Sequence, residues 1–438
     1  MSNRYSRRHV IKKGLGSLAS LTILGLAGCQ AANTSGPESM SVALHLIFWG
    51  STTRNKLTEQ AINLFQKSHP GTTIASQYSG FDTYWTLLNR LIAAGKTPDL
   101  IQMDMRYLSQ YVRKGLLLDL TQLIYNQTID LSDYNPLLLT SSKANNTVYG
   151  IPMGGNYQCM HYDKVFLENA GAGPLPENMT WSTFAEYTTE LSKALRYKVY
   201  GTSDNSGDIT SFEMWIRMRG KELYTHDGNL DFELADVVDW YSYWSNLRKA
   251  NGCLPTSVQI NLDNSNTPSD ASIIKGKAVF NTLYSNTYEA YQNATPHQLG
   301  MTMIPRGSAP GLYLKASMLM SIAAQTKYPT EAASFISSIN NDADTVMALG
   351  LERGIPGSIQ ARLLLNSRLT STQQIMATYV DSVAKSGYTR VKEVLDPPGA
   401  GQVSVLLKQV SRDIGVGRTS AIDGAKMFYA DAQKILEL

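Results

Sequence analysis

The chain has 438 residues, with 39 Lys plus Arg against 36 Asp plus Glu, and charged residues make up only 17% of it. A formal net charge of +3 gives no electrostatic reason to expect nucleic acid or an anionic bilayer as partner. The length exceeds the roughly 250–300 residues at which a single core stops growing, so two lobes are expected.

The first thirty residues contain "RYSRRHVIKKGLGSLASLTILGLAGCQ". Between Lys13 and Cys29 the run is uncharged but carries Gly14, Gly16, Gly25 and Gly28. It falls short of the about 20 apolar residues a membrane-spanning helix needs. A basic head, a short apolar centre and a small-residue end predict a cleaved export signal over 1–28. Ser6 to Lys12 resembles the twin-arginine export motif, with Val10-Ile11 where that motif favours Phe-Leu. Leu26-Ala27-Gly28-Cys29 matches the bacterial lipobox, which makes Cys29 the expected lipidation site and anchor to the membrane. Loss of 1–28 removes Arg4, Arg7, Arg8, Lys12 and Lys13 and no acid, so the net charge falls from +3 to −2. The polar run "AANTSGPESM" predicts that 29–40 is a flexible tether.

The nearly continuous apolar run Val42 to Gly50, "VALHLIFWG", predicts a buried strand. Apolar residues at Ala61, Ile62, Leu64 and Phe65 predict a helix over Thr58 to Ser68. "TTIASQYSG" reads as a strand, and "DTYWTLLNRLIAAG" as a helix from Asp82 to its stop at Gly95. "PDLIQMD" is a short apolar strand, and "RYLSQYVRKG" a helix after it. This β-α-β-α-β-α order predicts an α/β sheet with covering helices. A second such series starts near "VYGIPMGGNYQCMHYDK", and helices are predicted at "TWSTFAEYTTELSKAL", "VVDWYSYWSNLRKAN", "TEAASFISSIN" and "SAIDGAKMFYADAQKIL". Apart from Cys29 the cysteines are Cys159 and Cys253, read as two separate buried thiols. No C-x-x-C or H-E-x-x-H spacing occurs, so neither a metal nor any other cofactor is expected.

The order of "LIFWG", "FQKSHPGTTI", "GKTPDLIQMD", "YVRKGLLLDL", "VYGIPMGGNYQCMHYDKVFLENAG", "IIKGKAVFNTLYSN", "EAASFISSIN" and "IDGAKMFYADAQKIL" resembles the extracellular solute-binding proteins of family 1, the sugar-binding lipoproteins of ABC importers. The resemblance covers nearly all of the chain after the signal. It implies an α/β, two-lobed fold of the periplasmic-binding-protein type, with a cleft between lobes joined by a hinge that the chain crosses several times. The expected division is 41–152 and 300–355 for lobe 1, with 153–299 and 356–438 for lobe 2. It also implies a monomeric, non-enzymatic binder whose partners are a carbohydrate ligand and the permease subunits of an ABC transporter.

A sugar offers hydroxyls to planar polar groups and an apolar C–H face to aromatic rings. In open α/β sheets ligands sit beyond the carboxyl ends of the strands. Candidates there are Trp49 and Ser51 with Arg54, Trp85 (beside Tyr84), Asp104, and Asn156, while Arg106 reads as a solvated helix residue. From the later segments come Trp215 with Arg219, spaced i, i+4, then Tyr284 with Asn286, Lys315 and Arg353. Similar proteins carry Trp-Ser-Asn where this chain has Tyr284-Ser285-Asn286. An aromatic platform of maltose-binding members falls near "PPGAGQVS", which has no aromatic residue here, and this argues against a linear maltodextrin. Two other readings stand beside a neutral sugar. Arg54, Arg219, Lys315 and Arg353 could together clamp an anionic sugar or glycerol-phosphate-type ligand, and an exported glycan-degrading enzyme would need two carboxylates about 5–10 Å apart.

Overall fold

Val42–Trp49 is the strand on which the first sheet is built. It pairs in parallel with Thr72–Ser79, from Val42 opposite Thr72 to Trp49 opposite Ser79, and on its other edge with Leu100–Met103. The computed structural model describes residues 41–437 apart from 145–146, 263–266 and 393. The twin-arginine run, the lipobox with Cys29 and the tether lie outside the described residues. Early in the first strand burial alternates, with Val42 and Leu44 inward, and Leu46 through Trp49 are then all buried. That change marks the passage from the strand's half-exposed start to the doubly covered centre of the sheet.

Leu319–Ile322 runs antiparallel to Leu100–Met103 and to Ile151–Pro152, completing five strands. Thr52–Ser68 buries Ala61, Ile62 and Phe65, and Phe65 meets Phe335 of Pro329–Asn341 edge to face at 5.2 Å. The first helix is capped by Ser51, whose side chain accepts from the Arg54 N–H, and Met105–Arg113 is capped in the same way by Asp104.

The second sheet is ordered Leu299–Thr302, Gln158–Asp163, Ala278–Tyr284, Tyr200–Thr202. Gln158–Asp163 is antiparallel to both of its neighbours. Helix Trp181–Ala194 lies so close that a Cβ on Gly201 would stand 2.2 Å from the Thr188 carbonyl oxygen, so only glycine fits there. Beside this sheet, Ile209–Arg217, Leu234–Lys249, Ala400–Gly415 and Ala421–Leu436 enclose a second core around Trp240, Trp244, Phe212 and Phe428. The predicted helices along these stretches are all present.

Three passages between the sheets run side by side. Gly155–Asn156 pairs with Lys315–Ala316, Asn156 opposite Lys315, and Ile355 bridges to Gly155. The expected boundary at 299/300 falls inside the strand Leu299–Thr302, which pairs with Gln158–Asp163. Alternation of apolar residues identifies a strand but not the sheet it joins. Cys159 and Cys253 are free, buried thiols. Among the described residues no helix is long and apolar enough to cross a membrane.

Candidate functional site

The carboxyl ends of the strands, the two hinge strands and one later segment converge on a cluster of charges. Asp104 follows Leu100–Met103 and turns the chain into Met105–Arg113, its carboxylate accepting the Arg106 N–H at 2.9 Å. Lys315, on a hinge strand, donates to the same carboxylate at 3.3 Å and stands 5.3 Å from the centre of the Tyr284 ring. Asn156, on the paired hinge strand, donates from Nδ2 to Asn286 Oδ1 at 2.9 Å. Its own Oδ1 is buried without a hydrogen-bond partner. A buried acceptor left unpaired costs about 1–3 kcal/mol, which marks Asn156 as a group with bonding capacity in reserve.

From Arg106 the charges continue into the second lobe. Arg106 Nε lies 3.6 Å from Asp396. Lys392 Nζ sits 2.6 Å from Asp396 and 2.6 Å from Glu213, and Tyr313 donates its hydroxyl to Glu213 at 3.1 Å. Glu213 belongs to Ile209–Arg217, every residue of which is buried. The chain of contacts therefore holds three acids, Asp104, Glu213 and Asp396, against three bases, Arg106, Lys315 and Lys392. Burial alone would raise the Asp104 carboxyl, but Lys315 and Arg106 outweigh it and hold the group below its ordinary value. For Lys392 burial acts to lower the ammonium, and Asp396 with Glu213 reverses this and raises it. Counted as three carboxylates against three basic groups, the formal charges of the cluster sum to zero.

Of the residues singled out by sequence, Asp104, Asn156, Tyr284, Asn286 and Lys315 come together here. Trp49 lies instead in the first lobe's core, edge-on to Phe81 at 5.4 Å and Tyr84 at 5.2 Å. Ser51 is a helix cap, and Arg54 is held by Glu352, with Nε 2.9 and 2.8 Å from its two carboxylate oxygens. Trp85 lies against Tyr107, ring centres 3.9 Å apart, so this face is not open to a sugar. Arg353 is buried and donates to Thr58 Oγ1 at 2.7 Å, and burial pushes its guanidinium down to about 10. Trp215 is inside the second core with Trp181, Trp240 and Tyr243, and Arg219 covers it at 3.6 Å. Arg219 in turn pairs with Asp236 and Asp239.

The four-cation clamp of Arg54, Arg219, Lys315 and Arg353 is therefore not assembled. Three of the four serve packing within one lobe, and Lys315 is paired with Asp104. Sequence reasoning passed over Glu213, Lys392 and Asp396, and it favoured a solvated role for Arg106. Glu213 had a signal, a carboxylate inside the otherwise apolar "FEMWI", where a charge needs a partner. Lys392 and Asp396 lie in "VKEVLDPP", a segment for which no element is predicted. Among the described residues no group of His, Cys, Asp and Glu is placed to hold a metal ion.

Residues 60–360 match the model of the bacterial extracellular solute-binding protein family. The chain is 26% identical over 230 residues to a putative binding protein of Brucella abortus and spans 47% of that relative's length. Against the lactose-binding protein of Rhizobium radiobacter it is 24% identical over 330 residues, 72% of this chain and 74% of that one. A family 1 extracellular solute-binding protein from Alicyclobacillus acidocaldarius superposes with a TM-score of 0.68 at 27% identity, over 91% of this chain and 99% of that one. The oligogalacturonide-binding protein of Yersinia enterocolitica superposes with a TM-score of 0.79 at 20% identity, over 90% and 99%, a likeness of fold. Two α/β lobes, three side-by-side hinge segments and a matching family model over most of its length make this chain a member of the bacterial extracellular solute-binding proteins.

Proposed function

We propose that the protein is the substrate-binding subunit of an ABC importer and captures a neutral carbohydrate by closing its two lobes. The observation that carries this reading is the charge cluster between the lobes, with Asp104, Arg106 and Lys315 linked to Glu213, Lys392 and Asp396. Carboxylates, a guanidinium and ammonium groups suit sugar hydroxyls, which both donate and accept. Their zero sum favours a neutral ligand over a uronate or a glycerol phosphate, which would need an excess of cations. The lactose-binding relative supports the same ligand class. Arg106 and Asp396 come from different lobes, so the cluster is complete only when the lobes are together. A ligand bound to both walls shifts the equilibrium toward that closed form, and the membrane permease senses the closure.

The reading is of a binder and not an enzyme, acting as a monomer. Export through the twin-arginine-like run and anchoring by lipid on Cys29 complete it, supported by the "LAGC" lipobox. Metabolic labelling with a radioactive fatty acid tests the anchor: label is expected on the wild type and lost in Cys29→Ala. A thermal-shift screen of the mature protein against neutral sugars, uronates and glycerol phosphates tests the ligand class. Neutral sugars are expected to raise the melting temperature, and a response confined to the anions would overturn the reading.

A further inference from the structure

Arg217, the last residue of Ile209–Arg217, is fully buried, and its ion-pair partner is Glu222, outside the charge cluster. The rest of its guanidinium goes to backbone. Nε donates to the Gly311 carbonyl at 2.7 Å, and Nη2 donates to the carbonyls of Arg390 at 2.7 Å and Val391 at 3.2 Å. These carbonyls lie on two segments that meet beside it. Leu312 bridges in parallel to Thr389, and the Arg390 N–H donates to the Leu312 carbonyl at 2.8 Å. Arg390 in turn donates from Nη2 to the Lys221 carbonyl at 2.8 Å and pairs with Glu222 at 3.0 Å.

Both segments lead directly into the cluster. Val391 precedes Lys392 and Asp396, and Gly311 precedes Tyr313 and Lys315. Glu213, which receives both the Lys392 ammonium and the Tyr313 hydroxyl, lies at i−4 from Arg217 on the same helix face. The centre of the Tyr313 ring is 5.0 Å from the Arg217 Cζ and 5.5 Å from the Lys392 Nζ. None of the described residues of 391–396 belongs to a helix or strand, so no ladder of backbone bonds fixes Lys392 and Asp396. A buried carbonyl left without a donor is costly. A planar guanidinium offers its N–H groups as a fixed fork, whereas an ammonium offers them from one point. Lysine at this position would keep the charge but could not serve Glu222, Gly311 and residues 390–391 together.

We propose that Arg217 is a positioning residue of the binding site: it holds the segments carrying Lys392 and Tyr313 against Glu213, so that this half of the cluster stands assembled before ligand arrives. The inference rests on the carbohydrate reading given above, but its first test needs no ligand. Reductive methylation of the mature protein with formaldehyde and cyanoborohydride, read lysine by lysine by mass spectrometry, compares the wild type with Arg217→Lys and the milder Glu222→Gln. Lys434, exposed on Ala421–Leu436, is the internal reference. Hydrogen exchange in Leu234–Lys249 reports on the fold of the lobe as a whole.

Lys392 is expected to react slowly in the wild type and about tenfold or more faster in Arg217→Lys, with exchange in Leu234–Lys249 unchanged. An unchanged Lys392 rate in folded Arg217→Lys overturns the proposal. So does a rise matched by exchange throughout that helix, the sign of a residue that only stabilises the fold. Titration calorimetry with glucose, galactose and their disaccharides then completes a double-mutant cycle. Arg217→Lys should bind about tenfold more weakly, and its combination with Lys392→Met no more weakly than Lys392→Met alone. Losses that add in full overturn the proposal and leave the carbohydrate reading standing. If no sugar binds, that reading fails, and the labelling alone decides whether Arg217 positions Lys392. Should Arg217→Lys not fold, Glu222→Gln decides by the same readouts, with a rise in the Lys392 rate of about threefold expected.

Discussion

Arg106 of the first lobe and Asp396 of the second stand 3.6 Å apart, with both side chains largely buried. This contact joins the two halves of the charge cluster, because Asp396 also holds Lys392, which holds Glu213. Removing one partner of a buried pair leaves the other without compensation and costs about 3–5 kcal/mol when the pair is deeply buried. Arg106 retains Asp104, so a smaller loss of about 1–3 kcal/mol is expected. Asp396→Asn should therefore weaken ligand binding roughly tenfold or more and enlarge the radius of gyration of the free protein. Small-angle scattering together with titration calorimetry would measure both.

Gly401 reports on closure from the other side. A Cβ at this position would lie 2.7 Å from the Tyr107 ring, so helix Ala400–Gly415 meets Met105–Arg113 only because the residue is glycine. Within a helix, Gly→Ala normally stabilises by about 0.5–1 kcal/mol, whereas overpacking costs about 1–3 kcal/mol. Gly401→Ala is predicted to keep or slightly raise the melting temperature of the free protein and to lower ligand affinity several-fold. Combining it with Tyr107→Ala in a double-mutant cycle should recover part of that affinity.

Arg54 should behave in the opposite way. Its Nε is shared by both oxygens of Glu352, within one lobe and outside the cluster. Charge-assisted bonds of this kind contribute about 1.5–3 kcal/mol. Arg54→Ala is expected to lower the melting temperature while leaving ligand affinity unchanged, as a parallel thermal-melt and calorimetry experiment would establish.

His161 gives the fold an acid-sensitive limb. It lies fully buried in Gln158–Asp163, with neither ring nitrogen hydrogen-bonded, near Tyr288 and Tyr291. Burial lowers its imidazole from the ordinary 6.5 to about 3. Above pH 6.5 both folded and unfolded chains carry it neutral, and it exerts no pH-dependent effect. Between 6.5 and 3 the unfolded chain takes up a proton that the folded one excludes, so stability falls with pH. At pH 5 the loss is about 2 kcal/mol. His161→Leu should melt close to the wild type at neutral pH and above it at pH 5.

Much of this architecture was legible in the sequence. The alternation of strand-like and helix-like periods along 42–113 specified the first sheet and its helices, and the terminal helices followed from their apolar spacing. Asp104 was legible as well, since an acid at the end of "LIQM" must find a partner. Aromatic residues misled. Trp49, Trp85 and Trp215 carry the bulk and flat faces of a sugar platform, yet the same properties suit a core. Each is covered in the structure, Trp49 by Phe81 and Tyr84, Trp85 by Tyr107, and Trp215 by Arg219. Lys392 and Asp396 pair with each other at i, i+4, but the partners that tie them into the cluster, Glu213 and Arg106, lie far away in the chain. Only the tertiary fold brings a loop near 392 against a helix at 213 and another at 106.

The most direct test of the account is calorimetric titration of the mature protein and Asp104→Asn with neutral oligosaccharides and with digalacturonate. Asp104 is held by Lys315 and stands at the head of the cluster, and truncating such a buried charged partner costs about 2–5 kcal/mol. The account predicts that the wild type binds a neutral sugar more tightly than the uronate and that Asp104→Asn loses that binding. Tighter binding of digalacturonate, or undiminished binding of the neutral sugar by Asp104→Asn, would contradict it.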